Sequence, residues 1–304
     1  MKKLRENILH IEDVTHGYPG ITVIDNLDLS IEKGELVTIL GPSGCGKSTL
    51  YRLITGQEFV SSNGSISILG KPVGFPDPQR GIVFQHYSLF EHKTVIENVM
   101  LSYTWSKPIW YNWFGSNKEE YKLAYDKAMN LLTKVKLNDA AFKKPSQLSG
   151  GMRQRVAIAQ ALMAKHEILL MDEPFGALDE STRRELQLYL LELWEEHEMT
   201  ILFITHDSTE AGFLASRMIS LSQHYTDDRG DIQRGSKVVH DVSMSNFLPA
   251  RHEISYEEYN TLVRPTVEKV VKDGLDPEYL QHASTFTLNT CNSYQTLTTD
   301  ERSK

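Results

Sequence analysis

The sequence predicts an α/β fold: a parallel sheet covered by helices, an antiparallel β portion toward the N-terminus, and a helical segment inserted between strands. Three observations carry this. Short apolar runs, "ELVTIL" (35–40), "EILLMD" (167–172) and "MTILFIT" (199–205), have the length and composition of strands buried on both faces of a parallel sheet. Each is followed by a helical pattern, and alternating strands and helices build a sheet covered on both faces. The stretches "ILHIEDVTHGYPGITVIDNLDLSIEKG" (8–34) and "GSISILGKPV" (64–73) instead alternate apolar and polar residues, as antiparallel strands do.

The helical elements follow in order. "KSTLYRLITG" begins a helix at Lys47. Residues 98–165 read as mostly helical, most clearly in "KEEYKLAYDKAMNLLTKVKL" and "GGMRQRVAIAQALMA". "ESTRRELQLYLLELWEEHE" places Leu186, Leu190, Leu193 and Trp194 on one core face. From about residue 222 the pattern weakens, and the closing "HASTFTLNTCNSYQTLTTDERSK", rich in Ser and Thr and poor in aliphatics, reads as disordered.

Composition narrows the function. The 304 residues suffice for one large or two small domains with a full core. A net charge of −8 argues against a nucleic-acid binder, which needs a basic face for phosphates. Two distant cysteines, Cys45 and Cys291, form neither a disulfide framework nor a zinc spacing, so a reducing cytosol is expected. "MKKLRENILHIEDV" has no apolar segment behind its basic residues, and no run of about 18 apolar residues occurs to span a bilayer. Any service to a membrane is expected from its cytoplasmic side, as a subunit.

"GPSGCGKST" (41–49) fits G-x-x-x-x-G-K-[ST], follows a strand and opens a helix, which is the context of a phosphate-binding P-loop. Gly41, Gly44 and Gly46 let the backbone turn so that N–H groups point inward; Ser43 and Cys45 complete the candidate cradle. Lys47 would reach the β- and γ-phosphates, Ser48 would hold Mg²⁺, and Thr49 adds a phosphate contact. "ILLMDE" (168–173) ends a buried strand in two acids: Asp172 suits Mg²⁺ through water, and Glu173 suits polarising an attacking water. Taken alone these acids would read as a helix cap and a solvated neighbour; beside a P-loop they read as chemistry.

A third element discriminates among P-loop proteins. "LSGGMRQR" (148–155) opens a helix with Ser149 and two glycines, a second anion-binding N-terminus. One phosphate chain does not need two cradles in one protein. A symmetric dimer does, if each closes over the other subunit's nucleotide.

With these elements in this order, the sequence resembles the ATP-binding subunits of ABC transporters over about residues 7–225. "GPSGCGKST" is similar to Walker A, "LSGGMRQR" to the signature, "ILLMDE" to Walker B, "GALD" (176–179) to the D-loop, "THD" (205–207) to the H-loop and "VFQ" (83–85) to the Q-loop. The resemblance implies a P-loop NTPase core of ABC type with a parallel sheet, over residues 1–97 and 166–225 with the antiparallel β subdomain. It implies an inserted helical subdomain at 98–165 and an extension at 226–304. It also implies an ATP- and Mg²⁺-dependent hydrolase working as a homodimer or with a paired cassette. Ser149 and Gly151 of one copy would contact the γ-phosphate bound to the other. Glu173 would be general base, His206 would position the water, Gln85 would sense Mg²⁺ and water, and Tyr18 would stack on adenine. Asp179 caps the helix beginning at Glu180, with or without a role across the dimer.

Two functions follow from the resemblance: the motor of a membrane transporter, or a soluble ABC ATPase acting on DNA or ribosomes. A single cassette with no heptad run and a net negative charge favours the transporter, at the cytoplasmic face of the membrane. Its expected partners are integral membrane permease subunits and a separate solute-binding protein, with no nucleic acid. The runs at 77–101 and "FGALDESTRREL" are similar to the nitrate, sulfonate and taurine importer group. One stretch stands apart: "SYTWSKPIWYNWFGSN" (102–117) holds three of the four tryptophans. Its rings either pack locally on the helical subdomain or face the membrane partner.

Overall fold

The computed structural model describes residues 6–61, 63–75, 77, 80–84, 89–105, 118–164, 166–223, 235–244, 261 and 265. In chain order the strands are β1 (Asn7–Tyr18), β2 (Ile21–Glu32), β3 (Leu36–Leu40), β4 (Ser65–Ile68), β5 (Lys71–Pro72), β6 (Arg80–Val83), β7 (Ile168–Asp172), β8 (Thr200–Ile204), β9 (Arg217–Ser222) and β10 (Lys237–Ser243). The helices are α1 (Lys47–Thr55), α2 (Val95–Val99), α3 (Leu101–Trp105), α4 (Lys118–Lys134), α5 (Gly150–Met163), α6 (Glu180–His197) and α7 (Ser208–Leu214). They form two compact units, Met1–Asp77 with His197–Lys304, and Pro78–Glu196.

The first unit holds two kinds of sheet. β3 pairs in parallel with β8 and with β9, and β10 adds to β9 antiparallel. Every residue of β3, β8 and β9 is buried, which is why β3 and β8 read as nearly unbroken apolar runs; β9 instead buries Arg217, Ser220 and Ser222 among its apolar residues. The second sheet is antiparallel, in the order β2-β1-β4-β5. Burial along β1 alternates with a period of two over Leu9–Glu12 and again over Asp13–Gly17, slipping by one residue at the bulge between Ile11 and Val14.

The ATP-binding part was expected to close at residue 225, with an extension from 226. β10 lies beyond that point, yet it belongs to this unit. Buried Arg217 on β9 binds both carboxylate oxygens of Asp241 on β10, at 2.7 and 2.6 Å, and reaches the Ser30 carbonyl at 2.8 Å and Glu35 at 3.2 Å. Burial works against the arginine's charge, but the hydrogen bonds and charge of Asp241 outweigh it and hold the guanidinium protonated. Breaking such a pair strands the other charge, so β10 is fastened to the unit.

The second unit contains the parallel pair β6–β7, the helices α2 to α5, and α6 up to Glu196. α2, α4 and α5 pack on one another, α4 through Ala124, Ala128, Leu131 and Leu132. On α6 the buried side chains are Leu186, Gln187, Leu190 and Leu191; Leu193 and Trp194, expected in the core face, lie near the helix end and are half-buried. Of the aromatic stretch, Tyr103 is half-buried with its ring 6.3 Å from that of Tyr121, in local packing; residues 106–117 lie outside the described residues. Among the described residues no helix is long and apolar enough to cross a membrane.

Candidate active site

The cradle in the first unit grows directly out of β3. α1 starts after Gly46, whose φ of +87° is a left-handed conformation that suits glycine, and no side chain caps the helix. The N–H groups of its first turn are therefore left for an outside acceptor, at the positive end of the helix dipole. Gly41 is required by space: a β-carbon there would come within 2.5 Å of both Cys45 Sγ and the Leu221 carbonyl.

Lys47 is buried, and its ammonium donates to the carbonyls of Gly41 at 2.7 Å and Pro42 at 3.0 Å, so its charge is held on the loop. Ser43, Gly44 and Ser48 are exposed on the loop and first turn, while Thr49 is buried. Burial pushes the Cys45 thiol above its ordinary range, against the pull of the Lys47 charge, so this cysteine is inert packing rather than a nucleophile. Its carbonyl accepts a hydrogen bond from Ser236, and the Ser236 N–H donates to the Val23 carbonyl at 2.7 Å. The segment leading into β10 therefore braces the cradle from behind.

Two further predicted residues belong to this unit. Tyr18 ends β1 as an exposed residue, 44% accessible, as a stacking platform requires, and its hydroxyl donates to Glu58. His206 is exposed just past β8. Its neighbours are pinned: the Thr205 N–H donates to the Ile39 carbonyl at 3.3 Å on β3, and the Thr205 hydroxyl donates to Glu210 at 2.5 Å. Asp207 caps α7, accepting from the N–H groups of Thr209 and Glu210 at 2.8 and 3.2 Å.

The second unit carries the acids and the signature. Asp172 ends β7, half-buried. Glu173 follows with φ +45°, a left-handed value seldom adopted outside glycine, Asn and Asp, and such strain concentrates at functional positions. Ser149 caps α5, its hydroxyl accepting the Met152 N–H at 3.2 Å, and Gly151 lies in the first turn beside the Ala177 carbonyl. Asp179 caps α6: it accepts the Thr182 N–H at 3.0 Å and the Ser181 hydroxyl at 2.8 Å, and these bonds hold its carboxyl below the usual range. Gln85 lies outside the described residues. Sequence reasoning did not single out Glu58, Glu210 or Ser236, because each bonds to a residue it does not adjoin.

Each unit carries an oxygen of the hard kind that Mg²⁺ takes, the Ser48 hydroxyl in the first and the Asp172 carboxylate in the second, and Mg²⁺ in phosphate sites takes one or two protein oxygens rather than a cage. Among the described residues no three His, Cys, Asp or Glu side chains gather around a metal position.

A glycine-ended, uncapped helix N-terminus with a buried lysine on its loop defines a P-loop nucleotide-binding protein. Residues 24–176 match the ABC transporter family, and the chain belongs to that family as its ATP-hydrolysing subunit. It is 42% identical to the bicarbonate transport ATP-binding protein CmpD of Synechocystis over 70% of this chain and 74% of the relative. It is 41% identical to the nitrate import ATP-binding protein NrtD of Synechococcus elongatus over 70% and 76%. Among solved structures it is similar to the dimeric ABC transporter cassette MJ0796, with TM-score 0.64 and 30% identity over 78% of this chain and 98% of that one. The same cassette is known in a dimeric post-hydrolysis state bound to ADP and Pi, with TM-score 0.63.

Proposed function

We propose that this chain powers an importer of a small anion or organic solute of the nitrate, sulfonate and taurine kind, as a dimer of cassettes on the cytoplasmic side of integral membrane permease subunits. A separate solute-binding protein would deliver the cargo. The observation that carries this is the joint presence of the P-loop cradle and two-thirds-length similarity to ATP-binding proteins of bicarbonate and nitrate transport. Sulfate/thiosulfate import proteins are also similar, at 41% identity over 71% of this chain. All these cargoes are small oxyanions.

In this reading the α1 N-terminus, Lys47 and Thr49 bind the phosphates, and Tyr18 stacks on the base. Mg²⁺ would be held by Ser48, Asp172 and Gln85 and would offset the charge of the phosphate oxygens. Glu173 takes the proton of the attacking water, and His206 orients that water. Ser149 and Gly151 close on the nucleotide of the opposite cassette. Residues 98–165 act as the helical subdomain that receives the permease.

The test is purification with the co-expressed permease, followed by ATPase assays with the binding protein loaded in turn with nitrate, bicarbonate, sulfate and taurine. Stimulation by one of these is expected. Recovery of ribosomes or DNA in place of a multispanning protein would overturn the reading.

A further inference from the structure

Three side chains converge on one carboxylate that no part of the phosphate chemistry uses. Glu58, just beyond α1, accepts the Tyr18 hydroxyl at 3.0 and 3.2 Å on its two oxygens. Arg52 Nη1 of α1 lies 2.9 Å from Glu58 Oε1, and His16 Nε2 of β1 lies 3.3 Å from Oε2. His16 is buried and stands edge-on to the Tyr18 ring, with centroids 5.8 Å apart at 80°. Arg52 also donates through Nε to the Ser48 carbonyl at 3.2 Å, in the first turn of α1. A second tie runs from the Gly17 N–H to Ser61 Oγ at 3.3 Å.

The consequence is mechanical. An exposed tyrosine at a strand end has several staggered orientations open to it, and a base stacking on it must select one. Here the phenol tip is tethered while the ring stays exposed. A carboxylate suits the hub because it only accepts, through two oxygens, and the Tyr18 hydroxyl and the Arg52 guanidinium both donate. The path Ser48–Arg52–Glu58–Tyr18 runs unbroken from the phosphate-binding turn to the ring.

We propose that Glu58 is a positioning residue for the nucleotide base: it fixes the Tyr18 ring and, through Arg52, sets the distance from that ring to the phosphate cradle. This rests on Tyr18 as the base platform. Glu58→Gln removes the charge that pairs with Arg52 and one of the two oxygens on the Tyr18 hydroxyl, and so loosens the ring.

The test compares binding of ATP with binding of inorganic tripolyphosphate, which has phosphates but no base, to the full chain. Glu58→Gln is expected to weaken ATP about three- to tenfold, the scale of one lost hydrogen-bond arrangement, and to leave tripolyphosphate unchanged. Tyr18→Phe keeps the ring and removes the tether, so it gives a similar loss for ATP even if Glu58→Gln should fold poorly. The double variant binds ATP no more weakly than the worse single one. Equal losses for ATP and tripolyphosphate in Glu58→Gln would place Glu58 in the cradle's structure and overturn the proposal, as would ATP binding unchanged in both single variants. Tyr18→Ala separates the layers: unchanged ATP binding there removes the stacking platform itself, whereas a loss there beside normal Glu58→Gln and Tyr18→Phe removes only the positioning role.

Discussion

Two helices of this molecule, α1 and α5, open where phosphate chemistry is expected, and they open differently. Neither carries an acid in its first turn, whereas α2, α4, α6 and α7 do. An acid there would compete with a phosphate for the same dipole. α1 has no side-chain cap and holds the ammonium of Lys47 on its loop. α5 spends its Ser149 hydroxyl on the Met152 N–H, and its arginines turn to carbonyls of their own unit: Arg153 to Pro145 at 2.9 Å and Arg155 to Val135 at 2.9 Å. The first terminus combines free-facing donors with a held positive charge, which is what a phosphate site needs in its own right. The second offers a few donors without a charge, and suits a phosphate already held elsewhere. Substitutions at α1 should therefore act on binding, and substitutions at α5 on closure.

The largest effect is expected at Glu173. Glu173→Gln should cut hydrolysis about 100-fold or more while ATP-bound dimers accumulate in light scattering. That variant makes closure measurable apart from turnover; near-normal turnover would remove Glu173 as the base. Next, Lys47→Ala should weaken ATP binding about 10- to 100-fold in a titration, the scale of hydrogen bonds to a charged group. Unchanged affinity would deny α1 its role.

Ser149→Ala, placed on Glu173→Gln, should abolish the dimer but keep single-chain ATP affinity. The lost cap should cost about 1 kcal/mol in a denaturant melt. An affinity loss as large as that of Lys47→Ala would make the two termini equivalent and end the contrast.

The smallest effect belongs to Asp179→Ala, a modest fall in melting temperature. Because the folded carboxyl titrates below its unfolded value, the cap stabilises at neutral pH. The difference from wild type should shrink only as pH falls below the ordinary carboxylate range. Lost turnover with an unchanged melting temperature would instead assign Asp179 to the dimer.

Much of this was legible because the relevant signals are local. β3, β7 and β8 fall within a residue of the apolar runs that announce them, since full burial leaves no alternation to misread. The P-loop, the acids and Ser149 are short motifs whose neighbours in sequence are neighbours in space. Glu58 was invisible because Tyr18 lies 40 positions from it, and Ser236 because Cys45 lies 191 away. No periodicity encodes such pairs. β10 was passed over for a related reason: it follows a weak stretch, and only its partner β9 makes a strand of it.

That partnership has a consequence for handling the protein. β9 is a six-residue, wholly buried strand flanked by β3 and β10. A shortened version ended at residue 225, where the apolar pattern fades, would strip β10 away. It would leave a bare sheet edge with unpaired amides, and Arg217 without Asp241, and such an edge is a template for self-association. Such a fragment would retain every nucleotide-contacting residue proposed above and still be lost as aggregate.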